Sequence, residues 1–345
     1  MTADLAELIR DRVDQIPVPP GDLTAVQRTA RGIRRRRRVP AVVAAAVLIG
    51  AAGYALRPGG ESGRADRVLD PLGRLDFSDG LRAYAVPGQE VHLGGRSFPS
   101  AGLGALDTDA AATPFGIVLY VSGRPALLAE SGDTTLLEGD AEKGSFLPTA
   151  KADSVNPWVA YGATLDGHPT VIVRDLETNE VIGRQAVSEA TVIDALDDGT
   201  VFLRTDDGTT TWDPTTGKVA ELAGRRTSVA DVRNGVLLYD GKTPGGPAST
   251  AYRLVRGPID AQLTFDGGHI LSWSSRLEST DGSAPIVLDH QADFFAVDTD
   301  GSILAAAMTG DGATVYDCEV PSGTCTELGP LTALHGDPEF IGVDM

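Results

Sequence analysis

The sequence lacks most of the features that would identify an enzyme. It contains only two cysteines, Cys318 and Cys325, five scattered histidines and 6% aromatic residues. It has no Gly-x-Ser-x-Gly, Ser-x-x-Lys, phosphate-binding-loop, Gly-x-Gly-x-x-Gly or His-Glu-x-x-His motif. We therefore predict no catalytic residue, no cofactor and no metal site.

Positive charge is scarce outside the N-terminus. The chain carries a net charge of -19. Residues 1–38 hold nine arginines and five acidic residues, whereas residues 57–345 hold 20 basic and 43 acidic residues. A strongly acidic body repels phosphate, and this excludes a nucleic-acid partner. We interpret the acidity as a source of solubility, with a specific cationic partner as the alternative.

Long hydrophobic runs are absent except for one, at residues 39–56, which has no charged residue. Eighteen helical residues rise about 27 Å, close to the thickness of a bilayer core. Five arginines directly precede the run: Arg34, Arg35, Arg36, Arg37 and Arg38. Positive charge beside a span stays in the cytoplasm. We predict a single-pass signal anchor with its N-terminus inside, and the alternatives are a cleaved signal peptide or a soluble core helix.

The first 38 residues are too few to bury a core. One helical stripe carries Leu5, Leu8, Ile9, Val13 and Ile16. Two interpretations stay open, a juxtamembrane arm that touches anionic lipid and a helix that docks a cytosolic partner.

The N-terminal 60 residues resemble a known group of proteins. The amphipathic helix, the segment PVPPGDL (17–23), the arginine run and the single span are similar to actinobacterial single-pass membrane proteins associated with extracytoplasmic-function sigma factors, some of which are anti-sigma-like. The resemblance implies a cytosolic sigma factor as a partner. The chain departs from zinc-type anti-sigma domains because no His or Cys precedes His92.

The body of the chain is a series of short β-branched runs separated by glycine turns. The clearest unit, TVIDALDDGTVFLRTDDGTTTWDPTTGKVAELAG (191–224), predicts strands at 191–196, 201–205, 209–212 and 219–223. Its first turn recurs at Asn234-Gly235, Gly267-Gly268 and Asp300-Gly301, so that the repeat is 33 to 36 residues long. An Asp follows the third strand in three units, at Asp175, Asp213 and Asp317, and we expect it to accept turn N–H groups.

Four-stranded units at this spacing predict an all-β fold, a β-propeller. We place six blades at 103–138, 151–187, 191–223, 227–256, 260–288 and 292–328. Strands at 81–86, 90–95 and 339–345 would complete a seventh blade from both chain ends. The alternatives are a propeller of six blades and a pair of β-sandwiches. The pattern resembles WD-repeat and YVTN-type propellers, although only Trp212-Asp213 matches the WD dipeptide.

The two cysteines flank a predicted hairpin, CEVPSGTC (318–325). We predict that they form a disulfide, which agrees with an extracytoplasmic location. Two buried thiols are the alternative.

The predicted organisation has four parts: a cytoplasmic segment (1–38), a transmembrane helix (39–56), a linker (57–74) and an extracytoplasmic propeller (75–345). We interpret the propeller as a binding or sensing module for an extracytoplasmic protein or glycan. An enzyme that acts on envelope carbohydrate, with paired carboxylates, and a purely structural envelope protein are the alternatives. The three tryptophans are interpreted as packing residues, with sugar platforms as the alternative.

Overall fold

The computed structural model describes residues 80–86, 90–100, 110–129, 131–140, 149–310, 312–332 and 339–341. These residues form seven small sheets, which are the blades of a β-propeller. The predicted all-β, seven-bladed fold is confirmed, and the six-bladed alternative is wrong. The predicted cytoplasmic helices, the transmembrane helix and the linker lie outside the described residues.

The strands follow one another by blade. The closing blade contains β1 (Tyr84–Val86), β2 (Glu90–Leu93) and β3 (Arg96–Pro99). Blade 1 contains β4 (Ala111–Thr113), β5 (Gly116–Val121), β6 (Arg124–Leu128) and β7 (Thr134–Leu136). Blade 2 contains β8 (Ala150–Ala152), β9 (Trp158–Leu165), β10 (His168–Asp175) and β11 (Val181–Ala186). Blade 3 contains β12 (Val192–Asp197), β13 (Thr200–Thr205), β14 (Gly208–Trp212) and β15 (Val219–Gly224).

Blade 4 contains β16 (Thr227–Arg233), β17 (Val236–Gly241) and β18 (Arg253–Arg256), with a 3-10 helix at Pro247–Ala251. Blade 5 contains β19 (Gln262–Leu263), β20 (His269–Leu271), β21 (Arg276–Ser279) and β22 (Ile286–Val287). Blade 6 contains β23 (Phe294–Val297), β24 (Ile303–Thr309), β25 (Gly312–Cys318) and β26 (Cys325–Thr332). The last strand, β27 (Glu339–Phe340), returns to the closing blade.

The ring closes by joining the two ends of the described chain. Strand β27 pairs antiparallel with β1, so the closing blade has the order β27-β1-β2-β3. The C-terminal end thus supplies the innermost strand, and the N-terminal end supplies the three outer ones. This closure, which the sequence predicted, removes the open edges that a linear array would leave.

Apolar layers between neighbouring blades form the core. Each cluster of buried side chains draws on two adjacent blades; one, for example, joins Ile172 and Tyr161 of blade 2 to Phe115 and Val118 of blade 1. Because a blade is apolar on both faces, it can bury them only between its neighbours. Burial along β12 and β13 is therefore nearly continuous rather than alternating.

At three blade junctions, a buried aspartate accepts two consecutive N–H groups from a turn of the neighbouring blade. Asp153, at the end of inner strand β8, accepts the N–H groups of Asp198 and Gly199 in the first turn of blade 3, at 3.2 and 2.7 Å. Asp197 accepts the corresponding groups of Asn234 and Gly235 in blade 4. These turn residues have positive φ angles, which aim consecutive N–H groups at one carboxylate.

The third of these aspartates secures the ring closure. Asp298, at the end of β23, accepts the N–H groups of Leu81 and Arg82 at 3.1 and 2.7 Å. We call Asp153, Asp197 and Asp298 the interblade aspartates.

The aspartates that follow the third strands cap turns in two of the three predicted places. Asp175 accepts the N–H groups of Glu177 and Thr178, and Asp213 accepts those of Thr215 and Thr216. The prediction for Asp317 is wrong. Asp317 lies inside β25, and its carboxylate binds the Arg82 guanidinium at 2.9 Å.

The expectation of four strands in every blade is wrong for blade 4. Its strands have the order β16-β17-β18, and β18 runs parallel to β17. The segment between them leaves the sheet instead of forming an antiparallel third strand.

Candidate functional site

The inner strands give the ring two distinguishable faces. We call the face where the inner strands begin the front face and the face where they end the back face. The interblade aspartates and Gly80, the first described residue, lie on the back face, because Leu81 contacts Asp298 at the end of β23. The residues at the start of β23 lie at the opposite end of the same strand, on the front face.

A cleft opens on the front face where blades 5 and 6 and the closing blade meet. Its cavity volume is about 20 Å³, and the rest of the cleft is open to solvent. Apolar side chains dominate its lining: Leu271, Trp273, Phe294, Phe295 and Phe340, with the polar residues Asp260, Gln262 and Ser272. We call this site the front cleft. An apolar lining with a few polar groups is typical of ligand-binding sites.

Trp273 is the most exposed aromatic group of the front cleft. It lies in the loop between β20 and β21, and 48% of its surface is accessible. Its Nε1–H donates a hydrogen bond to the Oδ2 atom of Asp260, which precedes inner strand β19. This contact orients the indole ring at the rim.

A polar channel adjoins the front cleft along the axis of the ring. Its cavity volume is about 50 Å³, and its polar lining residues are Lys151, Asp194, Asp231, Arg233, Asp260 and Gln262. Asp260 and Gln262 also line the front cleft, so the two spaces share a boundary. A ligand held in the front cleft could therefore extend a polar group into the channel.

Internal contacts hold several channel groups in place. Arg204 donates to Asp194 at 2.9 Å, and Arg233 lies 3.4 Å from Asp231. Asp231 also accepts the N–H of Leu263 in the neighbouring blade at 2.9 Å. These carboxylates are therefore partly occupied in joining strands, and the channel is preorganised.

The carboxyl groups whose pKa is raised lie on the back face rather than at the front cleft. Burial raises the pKa of Asp298 to about 6, and Asp300 adds a smaller effect of the same sign. Burial also raises the pKa of Asp197. Burial, with a smaller contribution from Asp197, raises the pKa of Tyr252 to about 12. Because these groups bind turn N–H groups or pack between blades, we assign the shifts to blade assembly.

The predicted disulfide between Cys318 and Cys325 is confirmed. Its sulfur atoms are 2.03 Å apart, and it joins β25 to β26 across the hairpin. Cys318 is buried and packs among the apolar residues of blades 5 and 6. The disulfide therefore links the two outer strands of blade 6.

One group of three possible metal ligands occurs among the described residues: Asp289, His290 and Cys325. The Cys325 sulfur is already bonded to Cys318. His290 Nδ1 lies 2.8 Å from Asp289 Oδ1, and the same oxygen accepts the Cys325 N–H. The group is thus satisfied internally as a hairpin contact.

The predicted N-terminal determinants lie outside the described residues. They are the arginines Arg34 to Arg38 and the apolar stripe formed by Leu5, Leu8, Ile9, Val13 and Ile16. Within the part of the chain that the structure describes, no helix has the length and apolar character needed to cross a bilayer.

Sequence reasoning missed the front cleft. The interpretation of the tryptophans as packing residues fits Trp212, which is buried, and Trp158, which is partly buried. It does not fit Trp273. The available signal was the position of Trp273 in the polar loop segment SWSS (272–275), where a packing role is unexpected.

Comparisons with known proteins add three distant structural likenesses. No protein-family model matches the chain, and no curated protein matches it. TolB from Acinetobacter baumannii is 14% identical, with a TM-score of 0.37, over 74% of this chain and 64% of that one. Hydrazine synthase of Kuenenia stuttgartiensis is 14% identical, with a TM-score of 0.24, over 53% of this chain and 48% of that one.

The third likeness is to the AfRom2 CNH domain, which is 10% identical, with a TM-score of 0.32, over 73% of this chain and 84% of that one. Similarity this low carries no functional argument. The seven-bladed architecture stands on the strand pairing of the chain itself. A propeller fits a binding or sensing module, but the fold alone does not identify the ligand.

Proposed function

We propose that the protein is a single-pass membrane protein whose propeller binds an extracytoplasmic protein or glycan at the front cleft. The half-exposed Trp273, held by Asp260 beside a group of phenylalanines, is the observation that carries this proposal. A rigid aromatic ring at the rim of a concave apolar site gains binding energy with little loss of side-chain entropy.

We propose binding without catalysis. Among the residues that the structure describes, Asp260 is the sole ionisable one lining the front cleft, and the Trp273 indole N–H occupies one of its oxygens. Glycoside hydrolysis needs two carboxyl groups on either side of the scissile bond. The lining of the front cleft therefore favours recognition over the enzymatic alternative.

The test of this proposal uses the full chain in detergent and two matched variants. Trp273→Ala removes the rim ring, whereas Val219→Ala removes an exposed apolar side chain on blade 3, far from the front cleft. Both variants are titrated with fragments of envelope glycan and with solubilised envelope proteins. We expect Trp273→Ala to weaken binding by about tenfold or more and Val219→Ala to leave it unchanged. Equal affinity of the two variants would contradict a site at the front cleft.

The proposed topology places residues 1–38 in the cytoplasm and residues 57–345 outside it. Five consecutive arginines before the apolar run support this orientation. The disulfide is typical of an oxidising compartment. A membrane-impermeant maleimide should label a Ser131→Cys variant on intact cells and leave a Thr24→Cys variant unlabelled until lysis. The reverse labelling pattern would refute the orientation.

The proposed cytoplasmic partner is a sigma factor that docks on the apolar stripe of residues 5–16. The resemblance of the N-terminal segment to sigma-factor-associated membrane proteins supports this part of the proposal. A full chain with Leu8→Glu and Val13→Glu should lose copurification with the sigma factor. A variant with Asp4→Ala and Asp14→Ala should retain it, and loss in both variants would point to misinsertion.

A further inference from the structure

Blade 4 lacks the outer strand that completes the other blades of the described ring. Its sheet ends at β18, whereas the other sheets each have four strands. No described strand pairs with the outer edge of β18. The fourth-strand position of this blade is therefore vacant within the residues that the structure describes.

The segment between β17 and β18 is committed to another contact. Gly246 donates its N–H to the carbonyl of Leu222 in β15 at 2.9 Å, which ties the segment to blade 3. The ring of Tyr252 packs edge-on against Phe202, with 5.4 Å between the ring centroids. This segment fills the interface between blades 3 and 4, and it cannot also extend the sheet of blade 4.

The outer edge of β18 presents main-chain groups to solvent. Arg253 and Gly257 donate their N–H groups to carbonyls of β17 or the turn before it, at 2.9 and 3.0 Å. Main-chain groups alternate in direction along a strand, so those of Leu254 and Arg256 point outward. The outward groups match the spacing that an additional strand needs.

The two faces of β18 are already covered. Leu254 packs against the apolar cluster between blades 3 and 4, and Val255 packs against the cluster between blades 4 and 5. What is incomplete is therefore the hydrogen-bonding edge rather than an apolar face. An added strand would contribute chiefly main-chain hydrogen bonds, as in other cases of strand addition.

Charge on β18 selects the kind of strand that can pair with it. Each end of the strand carries an exposed arginine. The Arg253 guanidinium donates to Thr280 and to the Gly267 carbonyl of blade 5, so Arg256 is the charge that a pairing strand would meet. A carboxylate of an acidic strand on the same face would neutralise the Arg256 guanidinium.

We propose that an extended acidic segment of a partner protein adds to the edge of β18 as the fourth strand of blade 4. This site is separate from the front cleft, which is formed by blades 5 and 6 and the closing blade. The two proposals can therefore fail independently.

The experiment follows amide hydrogen exchange of the full chain in detergent, resolved to single residues. The probes are the acidic peptide TEVEVET and its basic counterpart TKVKVKT. The acidic peptide should slow exchange at Leu254 and Arg256 by about tenfold, because it pairs their outward N–H groups. Exchange at Val255 should not change, since its N–H already faces β17.

Three variants test the register and the charge. Arg256→Pro removes one outward N–H without removing a hydrogen bond to β17, and it should abolish the effect. Arg256→Glu should transfer the preference to the basic peptide. Val287→Pro places the same change on β22, the outer strand of the four-stranded blade 5, and it should leave the effect intact.

Several results would overturn the proposal. They include equal protection by the two peptides, no protection at millimolar peptide, and protection that survives Arg256→Pro. Slow exchange of Leu254 and Arg256 without peptide would show that the edge is covered in the free protein. If that protection disappears on dilution, a second copy covers the edge. If it disappears on deletion of residues 57–74, the linker covers the edge.

Discussion

Removal of one interblade aspartate should loosen the contact between blades 2 and 3. Asp153 is buried and accepts five hydrogen bonds. Three come from Val155 and Asn156 in its own turn, and two cross to the first turn of blade 3. Asp153→Ala would leave all of these donors without the carboxylate.

The expected cost follows from which donors water can reach. The donors of Val155 and Asn156 lie in a partly exposed turn, so water replaces much of their loss. The N–H groups of Asp198 and Gly199 lose a charged acceptor, and each such bond contributes about 1.5 kcal/mol at the low end of the usual range. We therefore expect Asp153→Ala to lower the free energy of unfolding by about 3 kcal/mol.

Urea unfolding of the full chain, monitored by tryptophan fluorescence, measures this effect. The Trp158 ring lies against Gly199 at the same interface, so it reports directly on the contact. Asp206→Ala is the matched control, since Asp206 is exposed in a turn of blade 3. Its cost should stay within about 0.5 kcal/mol. An unchanged urea midpoint for Asp153→Ala, or equal losses in both variants, would refute this account of blade fastening.

Three further predictions concern the ring closure, the disulfide and one glycine. Because the pKa of Asp298 rises from 3.8 to about 6 on folding, stability should fall by about 3 kcal/mol as pH rises from about 4 to above 6. Asp298→Asn should remove this slope, and a slope that persists in the variant would exclude Asp298 as its source. Cys325→Ser removes the disulfide to Cys318 and should lower the free energy of unfolding by about 2.5 kcal/mol. Dithiothreitol should have no further effect on the stability of this variant. Gly208→Ala places a Cβ 2.2 Å from a carbonyl oxygen at a φ of 138° and should lower the free energy of unfolding by about 3 kcal/mol. The control Gly224→Ala meets no atom within 4 Å and should leave thermal unfolding unchanged. Equal melting temperatures of the two variants would contradict the steric argument.

Much of the architecture could be read from local patterns. In blade 3, the predicted strands at 191–196, 201–205, 209–212 and 219–223 differ by one residue or less at each end from β12 to β15. Turn chemistry explains this accuracy, because Asp-Gly and Asn-Gly adopt the positive φ angles that a tight hairpin requires. The hairpin disulfide was predictable for the same reason, since its two cysteines are only seven residues apart in the sequence.

Blade 4 shows where local patterns were insufficient. Its segment GKTPGGPAST (241–250), rich in Gly and Pro, indicated a break in the strand pattern. The pattern did not show that this segment would attach to β15 of blade 3. Nor did it show that β18 would run parallel to β17 and leave an unpaired edge. Both outcomes depend on packing between blades.

The sequence by itself determined the repeating blade unit, most of the turns and the cysteine pair, because each follows from residues close together in the chain. Tertiary structure decided which side chains meet across blades. The front cleft combines Asp260, Trp273, Phe294 and Phe340 from three blades, and ring closure brings Asp298 to Leu81 over 217 residues. Such juxtapositions depend on blade-to-blade packing and on closure of the ring, which no local periodicity encodes.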